Sequence, residues 1–378
     1  MKENTQLTAA VGAALLALAG TAQAQAPAPA AAQQPLKVEV SGQVNKALMY
    51  ADDGVQKKTF YVDNDISGTR FRFVGSAGMT PSIKAGVRLE WDYQSNESNL
   101  VTLANPSAPP VSSATQSPTL AERYAEAIFE HAQWGRLHIG QGDGAANDGT
   151  EVDLSGTGVI TSVFVSELGG ALNFRDKTTG APTGPTITAA ITQQDFESRY
   201  DRVMYVTPTF GGFRGQVSNG VKDGLNVTEA SAWFAGKLAI GDLAGAIGWS
   251  QQAQGPGQDK DVVVGGSVSW LHQSGLNLTF SHSQRDIPLA AGQGTRDGKF
   301  DYGKVGYKFG QHAFGVDYAI GKNQSAQDDK VKTWGVGYVW SPIGWAEIYA
   351  GYRSYNLDRP GVDFEDIAVL TVGTRLKF

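Results

Sequence analysis

SIKAGVRLEWDY, residues 82–93, is the stretch whose reading decides the fold. Ile83, Ala85, Val87, Leu89, Trp91 and Tyr93 occupy every second position, with Lys84, Gly86, Arg88, Glu90 and Asp92 between them. A period of two places these sets on opposite faces of one β-strand. An amphipathic helix would need its apolar residues three and four apart, so this stretch is not one. One face is apolar and ends in aromatics, while the other is strongly charged. The same alternation sets Leu36, Val38, Val40, Val44 and Leu48 against Lys37, Glu39, Gln43 and Asn45. It sets Phe71 and Phe73 against Arg70 and Arg72, and Leu276, Leu278 and Phe280 against Asn277, Thr279 and Ser281. Near the end of the chain Ala346, Ile348, Ala350 and Tyr352 oppose Glu347, Tyr349 and Arg353, then Leu370, Val372, Leu376 and Phe378 oppose Thr371, Gly373, Arg375 and Lys377.

Many strands with one wet face imply either a water-exposed sheet or a wet lumen, and the turns separate the two. Short turns at Gln133-Trp134-Gly135, 208–212, 239–242, 272–275, Gly310-Gln311 and 341–344 alternate with long polar stretches at 94–119, 286–298 and 323–330. A membrane barrel has this asymmetry, with short turns at one rim and longer loops at the other. Trp134, Phe210, Phe213, Trp270, Trp340 and Trp345 gather beside the turns, where interfacial aromatic girdles sit. Turn-to-turn spacing gives about sixteen strands of roughly ten residues. The expected fold is all-β: a transmembrane antiparallel β-barrel with a loop inserted into its bore. The competing fold is a secreted soluble β protein such as an adhesin or hydrolase.

Composition agrees with the barrel. The first 26 residues read as an export signal: Lys2 is followed by an apolar stretch over 7–20 and by small-residue cleavage sites after Ala24 or Ala26. Residues 27–35 read as an Ala/Pro linker and residues 36–378 as the barrel. The chain has no cysteine, so an exported protein of this kind must close itself without disulfides. A net charge of −6 argues against nucleic acid as a partner. No metal-ligand spacing links His131, His138, His272, His282 and His312, and no nucleophile elbow or zinc-protease signature is present, so catalysis has no candidate residue. Gly140-Gln141-Gly142-Asp143-Gly144 fails the dinucleotide spacing at Ala145. Asp63-Asn64-Asp65-Ile66-Ser67-Gly68 opens like a calcium loop but has Val74 where the last ligand belongs. No cofactor is expected, apart from a structural calcium at a carboxylate-rich rim.

SGQVNKALMYADDG (41–54), TRFRFVG (69–75), WGRLHIGQGDG (134–144), RYDRVMYVTPTFGGFRGQV (199–217), KVGYKFGQHAFGVDY (304–318), AEIYAGYRSYNLD (346–358) and VGTRLKF (372–378) together resemble the Gram-negative general porins of the alpha- and betaproteobacterial type. The resemblance implies an outer-membrane location, a sixteen-stranded barrel, a homotrimer in contact with outer-membrane lipid and lipopolysaccharide, and a third external loop folded into the bore. It also implies passive diffusion of small hydrophilic solutes and ions, with a substrate-specific channel as the alternative. The inserted loop falls at about 141–198, longer than is usual, and the strand over 123–131 carries Glu126 and Glu130 where the family is less acidic.

Charge along the chain suggests what would line the constriction. Asp143, Asp148, Glu151, Asp153 and Glu167 on the loop occur with no Lys or Arg before Arg175. Arg70, Arg72, Lys84, Arg88, Arg123 and Arg136 fall on the polar faces of the early strands, where Glu90 and Asp92 could also satisfy them. Acids on an inward-folded loop facing bases on the wall would set up a transverse field, focused by low-dielectric walls. The excess of loop acids predicts a weak cation preference. The apolar stretch over 159–172 reads as the packed part of the loop, with helix and strand both open. Phe378 is expected at the barrel rim as the terminal assembly residue.

Overall fold

The computed structural model describes residues 35–105 and 119–378; the expected export signal and all but the last residue of the linker lie outside them. The strands are β1 (Lys37–Asp52), β2 (Lys57–Asp63), β3 (Arg70–Gly78), β4 (Ile83–Gln94), β5 (Thr119–His131) and β6 (Gly135–Asp143). After the inserted loop come β7 (Arg199–Val206), β8 (Phe213–Lys222), β9 (Leu225–Leu238), β10 (Gly241–Gln252), β11 (Asp261–His272) and β12 (Leu276–Pro288). The last are β13 (Thr295–Phe309), β14 (His312–Lys322), β15 (Lys330–Ile343), β16 (Ala346–Arg359), the short β17 (Val362–Asp363) and β18 (Ile367–Lys377).

β2 and β3 are two halves of one barrel strand, because both pair with β1, and residues 64–69 interrupt them. β17 belongs to the last loop, since β16 pairs directly with β18. The ring therefore has 16 antiparallel strands. It closes where β18 returns to β1, from Gln43 opposite Lys377 to Asp52 opposite Ala368. Closure removes the unpaired edge that an open sheet would leave in a bilayer. Gly42 and Phe378 finish the seam with reciprocal backbone hydrogen bonds of 2.9 and 3.0 Å. The Phe378 ring lies over Gly42, so closely that a Cβ there would stand 2.6 Å from Cζ of the ring.

The outward face is apolar on strand after strand: Val38, Val40 and Leu48 on β1, Val264 and Val268 on β11, and Phe314, Val316 and Tyr318 on β14 are all exposed. A continuous exposed apolar belt of this kind is a lipid-facing surface. The short turns read from the sequence all fall at one rim. The long loops fall at the other, with the middle of 94–119 outside the described residues. One expectation changes: β12 and β13 keep pairing as far as Pro288 and Thr295, so the loop expected over 286–298 shrinks to 289–294.

Residues 144–198 fold inside the ring and line its wall from β8 round to β1. Serines of β11 and β12 hold the first part. Ser267 and Ser269 accept the backbone N–H groups of Val152 and Leu154, each at 2.9 Å, and Ser281 donates to the Thr150 carbonyl at 2.7 Å. Lys304 of β13 donates to Asp153 at 2.7 Å and to the Thr161 carbonyl at 2.6 Å. Ile160 then packs against Gly337, where a Cβ would meet it at 2.7 Å. Tyr355 of β16 donates its hydroxyl to the Val165 carbonyl at 2.7 Å. The return leg contains one short helix, α1 (Ile187–Ala190), and Ser283 donates to the Gln193 carbonyl at 2.7 Å.

The stretch over 159–172 forms neither helix nor strand. Its Val159, Ile160, Val163, Val165, Leu168 and Leu172 join Met49, Phe60, Tyr302, Tyr349 and Tyr355 of the wall in one buried apolar cluster. The interior is therefore divided: dry beside β13–β18, β1 and β2, and open beside the arginines of β3, β4 and β5. Alternation alone suggests a uniformly wet lumen, because it records which side chains point inward and not what they meet there.

Gly42→Val should overpack the seam at a cost of about 1–3 kcal/mol, and the folded band in heat-modifiable electrophoresis should melt at a lower temperature than in the parent. Lys304→Met leaves Asp153 without its buried partner, a loss of about 3–5 kcal/mol for a pair of this kind. Single-channel records of this variant should show larger or flickering currents as the loop leaves the wall, and an unchanged current trace would contradict that role.

Candidate functional site

The open side of the bore is walled by side chains whose inward direction is set by strand phase. On β3 and β4, Phe73, Val87 and Leu89 point out, which turns Arg70, Arg72, Arg88, Glu90 and Asp92 inward. A register shift in the β4–β5 pairing between Glu90 and Trp91 lets Arg123 reach the same face as Tyr124 and Glu126. Arg202 and Tyr200 face inward from β7, because Tyr205, three and five positions further on, faces out.

Buried charges need partners, and here the wall supplies them itself. Glu90, 1% exposed, takes Arg72 at 2.5 Å and Arg123 at 2.7 Å, with Arg70 at 3.8 Å. Arg123 also reaches Asp92 at 2.9 Å. Glu126 is buried between Arg88 at 2.5 Å and Arg202 at 2.6 Å, with His138 at 3.2 Å. Arg202 further donates to the carbonyls of Asp143 and Gly140, at 2.8 and 2.7 Å. Arg88 lies over the Tyr124 ring at 3.6 Å from its centroid. Arg70, Arg72, Arg88, Arg123 and Arg199 nevertheless stay between 18% and 39% exposed on the inside of a closed ring. Such exposure means a water-filled passage runs past them.

The loop acids divide into groups. Asp143 stands at the end of β6, accepts the Tyr124 hydroxyl and has Arg199 at 3.4 Å. Asp153 is held on the far wall by Lys304. Asp148 and Glu151 gather with Asp195, their carboxylate oxygens within 4.8 Å of one another. Burial, reinforced by the neighbouring carboxylates, pushes Glu151 and Asp195 well above the ordinary carboxylate range and raises Asp148 as well. Glu167 sits with Asp65 and Asn99, which donates to both acids. Burial, then the Asp65 charge, raises Glu167 in the same way. Glu97 nearby is pushed up to about 7, by burial first and then by Asp65, Asp92 and Asp63. Among the described residues, Asp148, Glu151, Asp195, Asp65, Glu97 and Glu167 form no ion pair with Lys or Arg.

Lys84 and Arg136 share the inner face but sit near the turn rim, each exposed and each opposite Glu130 in register, away from the arginine row. Sequence reading did not single out Arg199, Arg202, Lys304, Glu97 or Asp195, and took Asp65 only as part of the calcium-like stretch 63–68. The phase of β7, fixed by outward Val203 and Tyr205, does point to Arg202. Asp195 and Glu97 lie on irregular segments, where no period exists to read.

The family profile described as Gram-negative porin matches residues 9–374 of the chain. No curated protein matches the sequence. Among solved structures, an anion-selective porin from Comamonas acidovorans superposes with a TM-score of 0.63 at 15% identity, over 91% of this chain and 100% of that one. The trimer form of OmpT, an outer-membrane protein of Vibrio cholerae, gives 0.55 at 13% identity over 91% and 99%. The outer-membrane channel DcaP of Acinetobacter baumannii gives 0.56 at 11% identity over 91% and 97%. These likenesses establish the shared barrel, and the match of the family profile over nearly the whole length establishes kinship: the chain belongs to the Gram-negative porins, diffusion channels of the outer membrane.

Proposed function

We propose that the chain is a general diffusion porin, working as a homotrimer, whose passage runs off-centre between the inserted loop and the arginine wall. The observation that carries this reading is the division of the bore: a dry, loop-packed half beside a half in which ionised side chains remain exposed to water. Passage is then governed by size and by the field across the gap. No step requires a group that makes or breaks bonds. The arginines share Glu90, Asp92, Glu126 and Asp143, so much of their charge is answered locally. Asp65, Glu97, Asp148, Glu151, Glu167 and Asp195 have no such answer among the described residues, which favours a weak preference for cations once they are ionised.

A second reading, anion preference, is favoured by the arginine row itself, and the similar Comamonas porin is described as anion-selective. Proton occupancy separates the two. A carboxyl with a raised pKa stays neutral to higher pH, so the acidic side of the gap loses charge as pH falls through the raised values, about 7 for Glu97. The arginines keep theirs throughout.

Reversal potentials in a KCl gradient should therefore shift toward cation preference as pH rises from about 5 to 8, and Glu151→Gln with Asp195→Asn should flatten that shift. Anion preference that does not change across the range would establish the second reading. Liposome swelling with neutral sugars should fall smoothly with solute size; one solute standing far above that trend would instead mark a substrate-specific channel.

A further inference from the structure

The inserted loop leaves the wall and rejoins it at one place, because Asp143 at the end of β6 stands opposite Arg199 at the start of β7. Just inside this root sits Glu229 of β9, 1% exposed. Its two carboxylate oxygens take one leg of the loop each. The Ala146 N–H donates to Oε2 at 2.9 Å, and the Glu197 N–H donates to Oε1 at 3.0 Å. Gly144 gives the carboxylate room, since a Cβ there would collide with Oε2.

Glu229 differs from the other wall groups that hold the loop. Ser218, Ser267 and Ser269 accept loop N–H groups with neutral hydroxyls. Among the described residues, Glu229 is the one wall carboxylate that accepts any. A buried carboxylate without a cation beside it is costly, and the cations nearby are engaged elsewhere. Lys222 of β8 serves the carbonyl and carboxylate of Glu197, at 2.8 and 3.4 Å. Arg202 of β7 serves Glu126 at 2.6 Å, and Arg285 of β12 serves Asp261 of β11 at 2.6 Å. Asp195 and Glu197 on the return leg add negative charge. Asp143 of β6 turns to Tyr124 and Arg199, Tyr200 of β7 shares a hydrogen bond with Ser218, and Ser250, opposite on β10, is uncharged. What the carboxylate offers is two acceptors at once, and only while it is ionised. Protonation turns one oxygen into a hydroxyl donor that faces a backbone donor.

We propose that Glu229 is a positioning residue for the inserted loop, a clamp that holds both legs at the root and lets them part when it takes a proton. Asp148 and Arg199, two residues beyond Ala146 and Glu197, move with the legs, and neither is buried. Acid therefore loosens the constriction, apart from any change in its charge. The proposal rests on the porin reading, in which this loop shapes the passage.

The test compares the parent, Glu229→Gln and the double variant Glu151→Gln with Asp195→Asn, all as full chains. In planar bilayers with symmetrical KCl, flicker of the open parent channel should rise as pH falls from about 8 to 4. Glu229→Gln, with one acceptor in place of two, should flicker at the alkaline end as the parent does in acid, with no further dependence on pH. The double variant should keep the parent's dependence. A Glu229→Gln channel that is quiet, or that still follows pH as the parent does, would overturn the clamp. Hydrogen exchange of the parent in detergent tests it without a mutation. Relative to intrinsic rates, exchange at Ala146 and Glu197 should quicken about tenfold in acid, the scale of one lost hydrogen bond to a charged group. Val152 and Leu154, held by serines, should not change. No quickening at Ala146 and Glu197, or an equal one at all four, overturns the clamp even where Glu229→Gln fails to fold. A parent that conducts no ions counts against the porin reading, and the exchange result then decides the clamp alone.

Discussion

Every backbone N–H and C=O of the wall has to find its partner inside the chain, because hydrocarbon offers none and each unpaired group costs several kcal/mol there. Pairing β18 with β1 meets that demand for the last two edges. Once the ring is closed, irregular backbone can exist only at the rims or inside. The interruption at 64–69 obeys this: Gln43 and Asn45 of β1 donate side-chain hydrogen bonds to the carbonyls of Ser67, Gly68 and Asn64 where the ladder lapses.

A ring of this many strands is too wide for its own side chains to fill. The inserted loop fills one side, and the wall it touches is built to receive it. Gly337 and Gly351 make room for Ile160, while wall serines and Tyr355 add hydrogen bonds to those the loop backbone makes for itself. Apolar loop residues then gain more by packing against Met49, Phe60 and Tyr302 than by facing water. The passage is what remains, and the large arginines hold it open.

Electrostatics follows from that partition. A charge buried without a partner would be costly, so the wall carboxylates are shared among several guanidinium groups. Glu90 and Glu126 each serve as such a hub. Asp148, Glu151 and Asp195 lie where the packing of the loop leaves them, and burial first, then their crowding with one another, raises their affinity for protons. The two sides of the gap therefore answer differently to pH.

The faces of β1, β3, β4, β12, β16 and β18 and the rim at which each short turn sits were legible in the sequence. Period-two alternation is a local property, and it alone fixed Arg70, Arg72 and Arg88 as inward. Export and the family resemblance were legible too, and the family was confirmed by the profile match. Where the loop runs was not legible, because its contacts join residues such as Val152 and Ser267, or Asn64 and Val159, that are far apart in the chain. For the same reason the sequence could suggest acids facing bases but not that Asp153 meets Lys304 on the opposite wall while Asp148 and Glu151 meet Asp195. Alternation sets the direction in which a side chain points; only closure of the ring and the packing of the loop within it decide what that side chain meets.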